Sequence, residues 1–164
     1  MYLGYQQRGA AIKIPIPDNP IYLAYNQDGT RLGVTSRDRT IKVYDSSSGE
    51  LLLTLSGHND SVMSVYFTRD GKRIISAAYD STIRVWDAAT GKQLYILSDQ
   101  EYGIFRLTVS PDEKRLVSGG TDGVLRVFLL DFKELEQVAR SRLTRPWQIG
   151  ECQRYLHTDT CPAD

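Results

Sequence analysis

The chain has 164 residues and a mass of 18.5 kDa, with 20 Lys and Arg against 20 Asp and Glu, 41% hydrophobic and 24% charged residues. That composition excludes an intrinsically disordered chain, and the zero net charge argues against bulk-charge binding to nucleic acid or to an acidic membrane surface. The length suggests one domain, no apolar run approaches the roughly 20 residues of a membrane-spanning helix, and a cytoplasmic location is the expectation. The start, MYLGYQQRGAAIKIPIPDNP, lacks the charged-then-apolar layout of a secretory signal. The two cysteines, Cys152 and Cys161, cannot build a disulfide framework.

In chain order, AAIKIPI at 10–16 reads as a first strand, and a repeat follows it. The segments QDGTRLGVTSRDRTIKVYD, RDGKRIISAAYDSTIRVWD and PDEKRLVSGGTDGVLRVFL align without a gap. Asp28, Asp70 and Asp112 are 42 residues apart, as are Asp38, Asp80 and Asp122, and Tyr44, Trp86 and Phe128. Three independent columns at one period mark a repeat architecture. Within each unit, β-branched residues alternate with Lys or Arg, as at Ile41 and Val43, Ile83 and Val85, and Val124 with Val127. Asp-Gly at 28–29 and 70–71 marks one tight turn, and SRDRT, YDST and TDG mark a second. A fourth strand follows the SSSGE and AATGK loops, at LLLTL (51–55) and QLYIL (93–97). Four short antiparallel strands every 42 residues make one blade of a β-propeller.

The stretch GHNDSVMSVYFTRDGKRIISAAYDSTIRVWD resembles a WD-repeat propeller unit nearly end to end. It has the Gly-His near its start, the Asp of the second turn and the Trp-Asp ending the third strand. The resemblance covers roughly residues 9–130. It implies an all-β fold, with three WD-repeat units over 19–130 and the outer strand of a preceding blade over 1–18, and 131–164 is left as a short tail that reads as helical. It also implies a structural hydrogen-bonded tetrad of His58, Ser76, Asp80 and Trp86. The first unit keeps only Asp38 of that set, with Ile16, Val34 and Tyr44 elsewhere; the third keeps Ser118 and Asp122, with Gln100 and Phe128.

His58, Ser76 and Asp80 are also the residue types of a hydrolase triad, but the repeat accounts for all three and no nucleophile-elbow sequence surrounds Ser76. TGK at 90–92 lacks the remaining elements of a phosphate loop. The chain reads as non-catalytic, with no cofactor and no metal. The resemblance points instead to one end of the blades as a binding surface. The positions three and five after the Gly-His histidine, and the residue before the turn Asp, are Asn19, Ile21 and Arg37, then Ser61, Met63 and Tyr79, then Gly103, Phe105 and Thr121. Ile21, Met63, Tyr79 and Phe105, with Arg37 beside them, compose a partner-binding patch of the types enriched at protein interfaces.

After Phe128, Asp131 and Glu134 resemble a helix-capping pair, and Leu135, Val138, Ala139 and Leu143 recur at helical spacing. Pro146 and a second short helix around ECQRYLH follow. The wording VARSRLTRPWQIGECQRYLHTDTCP is similar to tails that follow propellers in bacterial multidomain signalling proteins, and departs from them at Pro146–Gly150. Cys152, His157 and Cys161 could supply three zinc ligands, with Glu151, Asp159 or Asp164 as a fourth, and Cys152 and Cys161 could form a bridge, but structural zinc sites normally carry four recognisable ligands with a close C-x2-C pair, and ordinary packing is the expectation.

The expected function is a scaffold that binds a protein partner or an adjacent domain, with neither nucleic acid nor membrane. The alternative is the regulatory end of an enzyme whose catalytic part lies elsewhere. A nucleic-acid-associated regulator is a third class, which the neutral charge disfavours. Three units fall short of the 4–8 blades of a closed propeller. Either the chain is the C-terminal section of a longer propeller, or two copies form a homodimer that completes a six-bladed ring.

Overall fold

The computed structural model describes residues 13–16, 19–97 and 101–130. The tail over 131–164, with its expected helices and Cys152, His157 and Cys161, lies outside these residues, as do Gln100 and most of the 1–18 segment. The described residues hold eleven strands and no helix.

The first sheet comprises β1 (Pro20–Tyr25), β2 (Arg31–Ser36), β3 (Thr40–Asp45) and β4 (Leu51–Ser56). The second comprises β5 (Val62–Phe67), β6 (Arg73–Ala78), β7 (Ile83–Asp87) and β8 (Gln93–Leu97). The third comprises β9 (Ile104–Val109), β10 (Arg115–Gly120) and β11 (Leu125–Leu129). Each sheet is an antiparallel meander in sequence order, two of four strands and one of three. The strand expected at 10–16 is not seen in its described part: residues 13–16 are irregular, and Pro15 has no amide hydrogen to give a neighbouring strand. The third unit's last strand starts at Leu125, so Val124 belongs to the turn rather than to the alternation.

Turn chemistry fixes the meanders. Between the first two strands of each unit, Asp28, Asp70 and Asp112 accept hydrogen bonds from the backbone amide two residues on, at 2.8–3.1 Å. The residue after each Asp has a positive φ: Gly29 at 73°, Gly71 at 67° and, in the third unit, Glu113 at 56°. Glycine adopts that conformation without steric cost. Glu113 accepts it while its carboxylate takes hydrogen bonds from the Tyr66 hydroxyl at 2.9 Å and the Arg69 amide at 2.8 Å, tying the third sheet to the second. That carboxylate and burial together raise the Tyr66 hydroxyl pKa to about 12, burial being the larger cause.

The sheets stack face to face, and β1, β5 and β9 are the strands at which neighbouring sheets converge. One core lies between the first and second sheets: Ile41, Val43 and Leu55 pack with Val65, Phe67, Ile74 and Trp86. Phe67 lies directly over Gly33, where an added methyl would come within 2.8 Å of its ring. A second core lies between the second and third sheets: Ile75, Ala77, Ile83 and Val85 pack with Ile104, Leu107, Leu116 and Leu130. The Arg106 guanidinium of β9 lies 4.6 Å from the ring centroid of Tyr22 in β1, a cation–π contact between the first and third units.

Candidate functional site

The middle unit carries a continuous side-chain relay. Trp86 on β7 donates its indole N–H to the Ser76 hydroxyl on β6 at 2.8 Å. Ser76 Oγ lies 2.7 Å from His58 Nε2, and His58 Nδ1 lies 2.9 Å from Asp80 Oδ2. An indole N–H can only donate and a carboxylate can only accept, so with a neutral imidazole the direction is set from both ends. Ser76 accepts from Trp86 and donates to Nε2, and Nδ1 carries the hydrogen given to Asp80. All members but Asp80 are buried, and its side chain is only 4% exposed. Asp80 further accepts from the Asn59 amide at 2.8 Å and, through Oδ1, from the Thr82 amide at 3.0 Å and the Thr82 hydroxyl at 2.7 Å. Burial alone would raise its pKa; the bonds from His58, Asn59 and Thr82 outweigh that and hold the carboxyl well below the usual range.

The relay does not form a nucleophilic site. Ser76 is wholly buried, and its hydroxyl hydrogen is committed to the imidazole while its lone pair holds the indole. The arrangement ties the loop before β5, the β6 strand, the β6–β7 turn and β7 into one unit. No group of three or more potential metal ligands occurs among the described residues.

The other two units solve the same turn with a cation. Asp38 Oδ1 accepts from the Thr40 amide at 2.9 Å and hydroxyl at 2.6 Å, and its other oxygen pairs with Lys42. Asp122 Oδ1 accepts from the Val124 amide at 3.0 Å, and its other oxygen pairs with Arg126 at 2.7 Å. The Arg126 bond is the main cause of the lowered Asp122 pKa. The equivalent Arg84 stands 3.7 Å from Asp80 because the imidazole holds that oxygen; it donates instead to Gln93 Oε1 at 2.6 Å. Thr82, Lys42, Arg84 and Arg126 were not legible from the family's tetrad. The signal was nevertheless present, since 40, 82 and 124, and 42, 84 and 126, are columns at the same period of 42.

The positions expected to face a partner share a backbone feature. Each first strand carries a β-bulge at one station: the register slips between Pro20 and Tyr22, between Val62 and Ser64, and opposite Gly119 and Gly120, between Ile104 and Arg106. The extra residues are Ile21, Met63 and Phe105, one column of apolar side chains 42 residues apart. Bulges re-aim a side chain out of the regular alternation. Ile21 and Met63 are half-buried and Phe105 is exposed. The turn residues Arg37, Tyr79 and Thr121 sit at the same end of the blades; Arg37 and Thr121 are exposed and Tyr79 is half-buried. Tyr79 meets Phe105 edge to face across two units, with ring centroids 5.1 Å apart. Gly103 makes that approach possible, because a methyl there would fall 2.5 Å from the Tyr79 ring. Exposed Tyr102 adjoins this pair in sequence and was not among the expected residues. For Ile21, Met63 and Arg37 the structure gives a common station rather than a shared contact.

Comparison with known proteins agrees with this geometry. The profile of the WD domain, G-beta repeat family matches residues 17–45, 49–87 and 91–128, more than half of the chain. A stretch of 45 residues, 27% of the chain, is 44% identical to the dynein assembly factor with WD repeat domains 1 of Xenopus laevis and covers 11% of that protein. A stretch of the same length is 40% identical to the COMPASS component SWD3 of Saccharomyces cerevisiae and covers 14% of it. The matched stretch thus spans about an eighth of either relative. With its blades, turn aspartates and tetrad in place, the chain belongs to the WD-repeat family.

Proposed function

We propose that this chain is a non-catalytic interaction scaffold that binds a protein partner, or a neighbouring domain, through the end of the blades where Ile21, Arg37, Met63, Tyr79 and Phe105 lie. WD-repeat domains generally mediate protein–protein contacts and are generally non-catalytic. The observation that carries the choice of surface is the bulge column. At one station of three successive blades the backbone sets aside one residue, and each is apolar. Aromatic residues, Met and Arg are the types that dominate interface energetics, and Tyr79 with Phe105 supplies a rigid aromatic pair. Pairing of two copies into one ring would use blade faces rather than these turn ends, and so leaves this surface open. The tail's wording supports a cytoplasmic regulatory context in a bacterial signalling protein, including the role of regulatory end of a multidomain enzyme.

The experiment is affinity capture from an extract of the source cells, followed by mass spectrometry. It compares the wild type, a Met63→Ser/Phe105→Ser variant, and a Lys72→Ser variant altered at the opposite turns. A protein retained by the wild type and the Lys72 variant but lost from the Met63/Phe105 variant is the expected result. Loss with the Lys72 variant alone would place binding at the other end.

A further inference from the structure

The bulge-bearing end of the blades carries its charge unevenly. The turn between β2 and β3 presents Arg37 and Arg39, both exposed, where the second unit has Tyr79 and Ser81 and the third Thr121 and Gly123. The carboxylate between the two arginines, Asp38, is taken up by Thr40 and Lys42. A third arginine reaches toward the same unit. Tyr22, Ser64 and Arg106 form one column directly after the bulges, and the exposed Arg106 places its guanidinium over the Tyr22 ring, two units away. Tyr22 pairs with Thr35, two residues before Arg37. None of the three guanidinium groups has a hydrogen-bond acceptor or a carboxylate partner among the described residues. The cation–π contact engages the charge of Arg106 and leaves its in-plane N–H donors unused. Arg39 is also held at a φ of 70°, a left-handed conformation that Gly123 adopts at 74° without steric cost. Glu113 in the same conformation is compensated by its bonds to Tyr66 and Arg69, whereas Arg39 has no such compensation within the fold. In the second and third units the sign reverses, with the exposed acids Asp60 and Glu101 in the loops that lead into β5 and β9.

We propose that this end takes a protein segment in which an acidic residue, Asp or Glu, stands within a few residues of an apolar or aromatic one. The carboxylate meets the guanidinium forks of Arg37, Arg39 and Arg106, and the apolar side chain packs on the Tyr79–Phe105 pair. The proposal rests on the turn-end binding surface and adds the partner's chemistry to it. Charge complementarity names the occupant. A planar guanidinium matches a carboxylate through two parallel N–H bonds, which are stronger than neutral hydrogen bonds. Asp60 and Glu101 oppose a continuous polyanion, such as a nucleic-acid strand laid across all three units, and confine the bound negative charge to the first.

The test is selection from a random-peptide display library on the whole purified chain, followed by fluorescence anisotropy with the most enriched peptide. Enriched peptides should carry an excess of Asp and Glu near an apolar or aromatic residue. Replacing the acids of that peptide by Asn and Gln should weaken binding at least about tenfold. Arg37→Thr, Arg39→Gly and Arg106→Ser introduce residues that other units carry at the same positions. Together they should weaken the acidic peptide at least about tenfold and leave its Asn/Gln version unaffected. Arg39→Gly alone should keep or raise the melting temperature, since glycine accepts that φ, and still weaken binding. If the triple variant melts lower than the wild type, Arg37→Thr/Arg39→Gly carries the comparison. Peptides lost from the Met63→Ser/Phe105→Ser variant but indifferent to the arginine variants would overturn this proposal and leave the turn-end surface intact. Peptides indifferent to both sets would overturn both. No enrichment, enrichment without an acidic excess, binding only by a phosphoserine version of the peptide, or tighter binding of an oligothymidylate than of the peptide would each overturn the proposal.

Discussion

Replacing Ser76 by alanine removes one oxygen atom and leaves almost no cavity, so its cost reports the relay alone. The hydroxyl accepts the Trp86 indole N–H at 2.8 Å and donates to His58 Nε2 at 2.7 Å. Trp86 is 1% and His58 5% exposed, so water cannot replace either partner without an opening of the sheet. A buried polar group left unsatisfied costs about 1–3 kcal/mol, and two are left here, so Ser76→Ala should lose about 2–6 kcal/mol. The same blade holds an internal control. Ser64 is equally buried, and its hydroxyl has no hydrogen-bond partner. Ser64→Ala should change stability by less than about 0.5 kcal/mol or raise it, because it removes an unsatisfied group and strands none. Urea unfolding followed by Trp fluorescence, at unchanged m-value, measures both. Equal losses for the two variants would refute the relay as a source of stability.

Further outcomes follow from the turns. Asp80→Ala should cost about 1–3 kcal/mol, and more than Asp122→Ala, because Asp80 anchors a buried network and Asp122 an exposed turn; equal melting temperatures would contradict this. The Asp80 carboxyl pKa is held low in the fold, so its contribution is complete above its unfolded value, near pH 4, and is lost as pH falls through the folded value. The stability gap between wild type and Asp80→Ala should therefore narrow below about pH 4; a gap that widens in acid would reverse the sign. Gly103→Ala should force Tyr79 off Phe105, cost about 1–3 kcal/mol by overpacking and weaken partner binding at least about tenfold. Gly71→Ala, which meets no atom within 4 Å but has a φ of +67°, should cost about 1–2 kcal/mol and leave binding unchanged.

The strands, their order and the relay were legible because each rests on local chemistry repeated at a fixed period. Asp80, His58, Ser76 and Trp86 have complementary donors and acceptors, and the turn glycines and aspartates mark where each strand stops. The cationic partners Lys42 and Arg126 were harder to read. Their role shows only when the imidazole is absent from the turn, and in the middle unit Arg84 is displaced onto Gln93. Val124 fits the β-branched alternation but lies in the turn, because the residue opposite it in the repeat, Thr82, owes its place to a hydrogen bond with Asp80 rather than to strand alternation. The exposure of Leu125, Val127, Leu23 and Tyr25 could not be read at all. A repeated apolar column says the same thing in every unit, and only the presence of a neighbouring sheet decides whether it is buried.

The central claim is that a partner contacts the bulge-bearing end of the blades. Hydrogen–deuterium exchange on the chain with a captured partner bound tests it most directly. The account predicts slowed exchange at 19–21, 61–63, 79–82 and 103–105, with no change at the opposite turns around Gly29, Gly71 and Glu113. Protection confined to those opposite turns, with the bulge column unchanged, would contradict it.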